Sequence, residues 1–163
     1  MENLSFVHGD TSIENVVKTY SNMLYKLCFT ILRNKEDAED AVSDVFLKYI
    51  SASMTFNSEE HEKAWLIRVA TNICKNMLKF YKVRKHINID DVAEYCKSEN
   101  DINILTELLS LPIKYRTVLH LYYVEGYKTS EIAEMLSISP AAARKRLQYG
   151  RDILKIEYEK ETT

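Results

Sequence analysis

Apolar positions recur at three- and four-residue spacing along most of the chain, which is the period of an amphipathic α-helix. They predict helices at 13–32, 36–49 and 62–82, separated by a short break at 33–35 and a polar loop at 51–62. The apolar stripe of the third helix is Leu66, Val69, Ala70, Ile73, Met77 and Phe80. With only 3 Gly and 2 Pro in 163 residues, tight turns and hairpins are scarce. The pattern predicts an all-α chain.

A charged stretch that is poor in large apolar residues interrupts the helical pattern at 83–101. It predicts a linker between two small helical domains, residues 1–82 and 102–163, and the length of the chain suits that division. In the second domain a helix is expected from about Ile113 to Val124, and it would end near Gly126.

The C-terminal part of the chain predicts a helix-turn-helix. Thr129 is placed to cap a short helix at 130–136, and 137–139 form a three-residue turn. Ser139 and Pro140 then supply an N-cap and a proline at the first helical position of a longer helix, which would extend to about residue 156. The shared core is predicted to be Ile132, Ala133, Leu136, Ile138, Ala143 and Leu147.

The charges are segregated along the chain, although the net charge is only −2. Residues 63–86 contain seven basic side chains and no acid, and acid-rich segments flank them on both sides. The second helix of the helix-turn-helix is also basic, at Arg144, Lys145, Arg146 and Arg151. A polyanion responds to such a local positive field, so nucleic acid is the expected partner. The alternative is a set of solvated helix faces.

Other classes of function find little support in the sequence. There is no glycine-rich phosphate loop, no metal-ligand cluster and no nucleophile–base motif, so no catalytic residue, metal or cofactor is expected. One helix face carries Asp37, Asp40 and Asp44, but the sequence offers no second group of ligands with which they could hold a metal ion. Three widely spaced cysteines are interpreted as small buried residues. No apolar run is long enough to span a membrane, and a cytoplasmic protein is expected.

Several motifs, in order along the chain, resemble the sigma-70 superfamily, specifically its short two-domain members of the extracytoplasmic-function (ECF) type. Residues 37–42 with Phe46 resemble region 2.2. Regions 2.3 and 2.4 are matched by residues 64–66, Arg68, Ala70, Asn72 and 78–79. Region 4 is matched by residues 111–112, Arg116, 121–122, 125–126, 131–133 and 146–147. The family usually has Thr-Val where this chain has Ala142-Ala143, and Arg-Ala where it has Tyr149-Gly150.

This resemblance implies an RNA polymerase sigma factor that binds core polymerase, recognises promoter DNA and melts it. The residues implied in binding the beta-prime clamp helices are Asp37, Asp40, Ser43, Asp44 and Leu47. Those implied at the −10 element are Phe56, Arg68, Asn72, Lys75, Lys79 and Lys82, with Phe56 or Met54 packing on a flipped base. Those implied at the −35 element are Ser139, Ala142, Arg144, Lys145, Arg146 and Tyr149. Further implied partners are the beta flap and an anti-sigma factor, and no membrane contact is expected.

Two alternatives stay open at this point. An autonomous helix-turn-helix regulator that binds an operator would explain the C-terminal domain, but it leaves the acidic and cationic helices of residues 36–82 unexplained. A degenerate sigma-like protein would bind polymerase or an anti-sigma factor without initiating transcription.

Overall fold

A computed structural model of the chain describes residues 10–80 and 87–161, and it describes side chains from 13 to 80 and from 87 to 155. All secondary structure within these residues is helical. The α-helices are α1 (Asp10–Leu32), α2 (Lys35–Ala52), α3 (Glu59–Phe80), α4 (Asp90–Ala93), α5 (Glu99–Leu108), α6 (Ile113–Leu119), α7 (Thr129–Leu136) and α8 (Pro140–Glu161). A π-helix, His120–Val124, continues α6 directly. The predicted all-α class is confirmed.

The chain divides between Asn88 and Ile89 into two units, each with its own core. In the first unit, α1, α2 and α3 each pack against the other two. Every residue of α1 from Met23 to Leu32 is buried, and so are Ala38, Val45 and Tyr49 of α2 and Leu66, Ala70 and Cys74 of α3. This core therefore depends on the three- and four-residue apolar spacing from which the three helices were predicted.

The breaks between these helices have clear local causes. Arg33 ends α1 in the left-handed region (φ 62°), and the Asn34 side chain caps α2 by accepting a hydrogen bond from the backbone N–H of Asp37 (2.9 Å). The predicted loop at 51–62 is shorter than expected. α2 continues to Ala52 and α3 already begins at Glu59, because Ser53 (φ 48°) terminates one helix and Ser58 caps the other through the His61 N–H.

The second unit is built around α8, against which α6 and α7 pack. Pro112 precedes α6, as its missing N–H favours, and Gly126 (φ 75°) follows the π-helix in the left-handed conformation that glycine tolerates. The helix expected at 113–124 is thus present, but its last five residues are π-helical: the N–H of Glu125 donates to the carbonyl of His120.

The interval predicted as a linker has helical structure of its own. Residues 83–86 lie outside the described residues, but Val92 in α4 is fully buried, and α5 begins at Glu99 with Ser98 as its cap. Residues 90–93 and 99–101 are therefore helical and belong to the second unit.

Candidate nucleic-acid interface

One side of α3 forms a cationic face, which we define as Arg68, Asn72, Lys75 and Lys79. All four side chains are exposed, whereas Leu66, Ile67, Ala70 and Cys74 on the other side of the helix are fully buried. Three- and four-residue spacing explains this division, because it keeps each set on one side of the helix. Lys82, predicted with this set, lies outside the described residues. The face offers three cations and one amide to a ligand.

Phe56 does not lie where a base could stack on it, and here the structure corrects the sequence-based expectation. Only 4% of the residue is exposed. Its ring stacks on Tyr49 (centroids 5.9 Å apart) and meets the edges of Trp65 (5.7 Å) and His61 (5.3 Å). Packing against aromatic residues of α2 and α3 removes more apolar surface from water than a position in a polar loop would. The neighbouring Thr55 and Asn57 are exposed instead.

A buried hydrogen bond lies beneath this loop, between two residues that the sequence analysis does not connect. The hydroxyl of Tyr49 donates to Oε2 of Glu62 at 2.7 Å, with 1% and 3% of the two residues exposed. Burial, followed by the hydrogen bond and negative charge of Glu62, raises the pKa of the Tyr49 hydroxyl. The hydroxyl consequently stays protonated and keeps its role as a donor.

The exposed side of α2 forms an acidic face, which we define as Asp37, Asp40, Ser43, Asp44 and Leu47. Asp37 is half-buried and the other four are exposed, Leu47 to 62%. Ile50, one turn beyond Leu47 and two turns beyond Ser43, is also exposed (46%), which extends the apolar part of the surface. Carboxylates beside exposed aliphatic side chains are suited to contact a partner protein that has cations and an apolar patch.

The helix-turn-helix is built as the capping pattern predicts, with one difference. The Ser139 hydroxyl accepts a hydrogen bond from the N–H of Ala142 (3.1 Å), so Ser139 caps α8. Thr129 is the first residue of α7 and not its cap. Lys128 precedes the helix, and its N–H donates to Oε1 of Glu131 (3.0 Å). Of the predicted shared core, Ile132, Ala133, Ala143 and Leu147 are buried, and Leu136 and Ile138 are half-buried.

The remaining predicted residues of α8 differ in their exposure. Arg144 and Lys145 are exposed, whereas Ala142 and Arg146 are half-buried. Tyr149 is 52% exposed, and its ring meets the edge of Tyr115 of α6, with centroids 6.2 Å apart. Arg144 and Lys145 are thus the exposed cations among the residues of α8 that are predicted to contact phosphates or base edges.

Arg151 was noted as basic but was not placed at a site, and it has a defined role in the structure. Its Nε donates to the hydroxyl of Tyr123 at 2.5 Å, and its guanidinium lies 5.2 and 5.5 Å from the ring centres of Tyr122 and Tyr123. The hydrogen bond to Tyr123 is the main reason why the pKa of Arg151 is raised. These contacts join α8 to the π-helix, and only the three-dimensional fold reveals them.

Gly150 marks the close approach of α8 to α6. A Cβ at this position would lie 2.5 Å from Cδ1 of Leu119, so a larger residue would force that side chain to move. Tyr149 and Arg151 on either side of Gly150 contact α6 and the π-helix, respectively. Together these contacts set the orientation of α8.

Among the described residues, no group of three or more His, Cys, Asp or Glu side chains is arranged to hold a metal ion. The same part of the chain contains no helix that is both long and apolar enough to span a membrane.

Comparison with known proteins gives concordant matches to both units. The family model for Sigma-70 region 2 matches residues 16–83, and that for Sigma-70, region 4, matches residues 101–154. The ECF RNA polymerase sigma factor SigW of Bacillus subtilis is 26% identical over 160 residues, which cover 86% of each chain. The RNA polymerase sigma factor SigV of the same organism is 26% identical over 144 residues, covering 84% of this chain and 85% of SigV.

Solved structures share the fold. The sigma factor RpoE of Bartonella quintana, in complex with the anti-sigma factor NepR, aligns over 91% of this chain and 97% of its own, with a TM-score of 0.70 and 16% identity. CnrH, in complex with the cytosolic domain of CnrY, aligns over 93% and 90% with a TM-score of 0.67 and 20% identity.

Proposed function

Because the chain belongs to the sigma-70 family and is an RNA polymerase sigma factor of the ECF type, we propose that its three exposed surfaces divide the work of initiation among them. The acidic face of α2 binds core polymerase, the cationic face of α3 binds the −10 element, and α8 binds the −35 element. The observation that supports this most directly is the pairing, within one three-helix unit, of an acidic face and a cationic face on neighbouring helices.

On the acidic face, we assign the contact with the beta-prime clamp helices to Asp37, Asp40, Ser43, Asp44 and Leu47. Exposed carboxylates give the encounter its electrostatic direction, and an exposed leucine adds apolar area that leaves water on binding. Ile50 extends the same surface.

On α3, the cationic face approaches the phosphates of the −10 element, and Asn72 has both a donor and an acceptor for a base edge. We do not include Phe56 among the residues that bind the −10 element, because its ring would have to leave the core to meet a base. Unstacking a base step requires about a few kcal/mol, so phosphate contacts and polymerase binding must supply most of the energy for melting. Thr55 and Asn57 give the loop exposed polar groups beside the strand.

On α8, Arg144 and Lys145 reach the −35 DNA from the exposed side of the helix. Ser139 acts through capping, because its hydroxyl is engaged by the Ala142 N–H. Ala142 and Arg146 are half-buried, so their contacts with DNA lie at the margin of the interface, and Tyr149 offers an aromatic surface where the family usually has arginine.

The proposal extends to partners and location. Two structural neighbours were determined with a bound partner, RpoE with the anti-sigma factor NepR and CnrH with the cytosolic domain of CnrY. We propose that an anti-sigma factor likewise binds this chain. The beta flap is the proposed partner of the second unit. We further propose that this chain acts in the cytoplasm and that it contributes no catalytic residues to the polymerase.

The autonomous regulator is not favoured. A helix-turn-helix protein of that kind needs only the second unit, yet the sigma-70 region 2 model matches residues 16–83, which include both charged faces of the first.

The test is transcription in vitro with bacterial core polymerase on promoters from the source genome. Adding the protein should yield transcripts with a defined start site. Asp40→Arg/Asp44→Arg should abolish them and weaken association with core polymerase at least about tenfold, because both reversed charges would face the partner's cations. Glu14→Arg on α1, also exposed, is the matched control and should change neither. Absence of transcripts, with operator binding by the protein alone, would favour the regulator.

A further inference from the structure

The loop at 53–58 is held from beneath by an unusual arrangement of side chains. Tyr49 belongs to the last turns of α2 and Glu62 to the first turn of α3, so their 2.7 Å hydrogen bond joins the two helix ends between which the loop runs. Phe56, at the middle of the loop, stacks on the Tyr49 ring with the planes 14° apart. The orientation of the Tyr49 ring therefore determines where the loop lies.

A second set of hydrogen bonds ties the same loop to α3. The N–H of Asn57 donates to Nδ1 of His61 (3.2 Å), and the N–H of His61 donates to the hydroxyl of Ser58 (3.1 Å). The edge of the His61 ring in turn meets Phe56. We call the rings of Tyr49, Phe56, His61 and Trp65 the aromatic cluster, and these hydrogen bonds connect the backbone of the loop to it.

Stability alone does not account for a carboxylate at this place. Glu62 is only 3% exposed, and taking a carboxylate out of water is costly, whereas an apolar side chain of similar size would fill the space without that cost. What the carboxylate adds is direction: it accepts a hydrogen bond from Tyr49, which fixes the position of that hydroxyl and so the direction of the side chain. Buried polar groups that are kept for positional definition have this property.

The position of the loop matters because of what lies next to it. Trp65, which meets both Tyr49 and Phe56, is three residues before Arg68, so the cluster lies beside the first residue of the cationic face. We propose that Tyr49 and Glu62 are positioning residues that hold the loop in a single conformation at the edge of the −10 DNA site. This rests on the proposed function of the cationic face.

The first measurement is base discrimination by the holoenzyme, taken as the ratio of open-complex formation on a promoter and on versions with single substitutions in the −10 element. Tyr49→Phe keeps the ring but removes the donor, and it should lower this ratio on the order of tenfold, as loss of a hydrogen bond to a charged group implies. Glu62→Leu should lower it similarly, although the chain remains folded. Glu62→Gln keeps an acceptor oxygen and should retain discrimination within about twofold of wild type.

Controls separate positioning from a general loss of structure. Tyr25→Phe removes a hydroxyl from another buried tyrosine of the same unit and should leave discrimination unchanged. Sensitivity to substitutions in the −35 element should be the same in all variants. Full −10 discrimination by both Tyr49→Phe and Glu62→Leu would overturn the proposal.

The second measurement needs no promoter. Amide hydrogen exchange at Asn57, whose N–H is bonded to His61, should become about tenfold faster in Tyr49→Phe and stay near wild type in Glu62→Gln. Unchanged exchange in Tyr49→Phe would refute positioning even if the chain proved not to bind the −10 element. A different outcome is faster exchange in Tyr49→Phe while the wild-type protein is insensitive to substitutions in the −10 element. That outcome would refute the proposed function of the cationic face, and it would still support the role of Tyr49 and Glu62 in positioning the loop.

Discussion

Replacing Gly126 with alanine should lower the free energy of unfolding of the second unit by about 1 kcal/mol, and the structure separates the contributions to that value. Gly126 has φ 75°, a conformation that costs an L-residue about 1–2 kcal/mol. A Cβ there would meet nothing within 4 Å, so no steric repulsion is added. Alanine also restricts the unfolded chain, which returns about 0.4–1 kcal/mol. The net effect is a modest loss that arises from the backbone alone.

The assay is urea unfolding followed by two signals. Trp65 is the only tryptophan and lies in the first unit, so its fluorescence reports on that unit, whereas far-UV circular dichroism reports on helices of both. Gly126→Ala should move the dichroism transition to lower urea and leave the fluorescence transition in place. Gly126→Asn is the control and should lose less than the alanine variant, because asparagine tolerates the left-handed region better.

Two outcomes would contradict this reasoning. A loss above about 3 kcal/mol would mean that the added methyl group meets atoms where the structure has open space. An equal shift of the Trp65 transition would mean that the strain is not confined to the turn after the π-helix.

Three further predictions concern the thiols of the first unit and the cations of α8. Cys28 and Cys74 are both buried, and the hydrogen bond with Cys28 and burial raise the pKa of the Cys74 thiol. Both thiols should therefore resist a water-soluble disulfide reagent until the chain unfolds, and rapid labelling of the native protein would contradict their burial. The same raised pKa implies a contribution to stability that is present below about pH 9 and is lost as the pH rises above it, which urea unfolding at a series of pH values would detect. Binding of holoenzyme to promoter DNA should depend less steeply on salt in Arg144→Ala and in Lys145→Ala. If each side chain neutralises one phosphate, the slope of log affinity against log salt should become shallower by about 0.9 in each variant. An unchanged slope in both variants would argue against phosphate contact by these two cations.

Much of the fold follows from short-range features of the sequence. The Ser139–Pro140 start of α8 and the glycine after the π-helix each act within a few residues of chain, and each lies where it was predicted. In the predicted apolar stripe of α3, Leu66, Ala70 and Ile73 are buried, but Phe80 is 83% exposed, because it lies at the end of the helix. The cationic face was likewise predictable, because the spacing of Arg68, Asn72, Lys75 and Lys79 fixes a helix face once the helix is known.

The site features that were missed depend on distant partners. Phe56 is one of two apolar residues in a polar loop, with Met54, and only the approach of Tyr49 from α2 and Trp65 from α3 makes its burial favourable. The hydrogen bond of Glu62 requires the same approach. Helical spacing places Glu62 on the side of Leu66, but it places Glu59 there too, and it does not identify Tyr49 as the partner.

The departures from the family pattern at 149–150 illustrate the same limit. In the sequence they suggested only a lost arginine and an altered contact with DNA. In the structure Gly150 lies against Leu119, and Tyr149 packs beside Tyr115, so both residues also help to join α8 to α6.

The π-helix at His120–Val124 has a consequence for how this chain can change in evolution. An i→i+5 turn holds one residue more than an α-helical turn, which makes it equivalent to a tolerated single-residue insertion. Deleting one residue there would restore α-helical geometry and leave the chain on either side nearly in register, because the wider turn alone absorbs the extra residue. The deletion would change which side chains face Arg151, because Tyr122 and Tyr123 both lie within that turn. A segment shorter by one residue should therefore keep the fold of the second unit and lose part of the contact between this turn and α8.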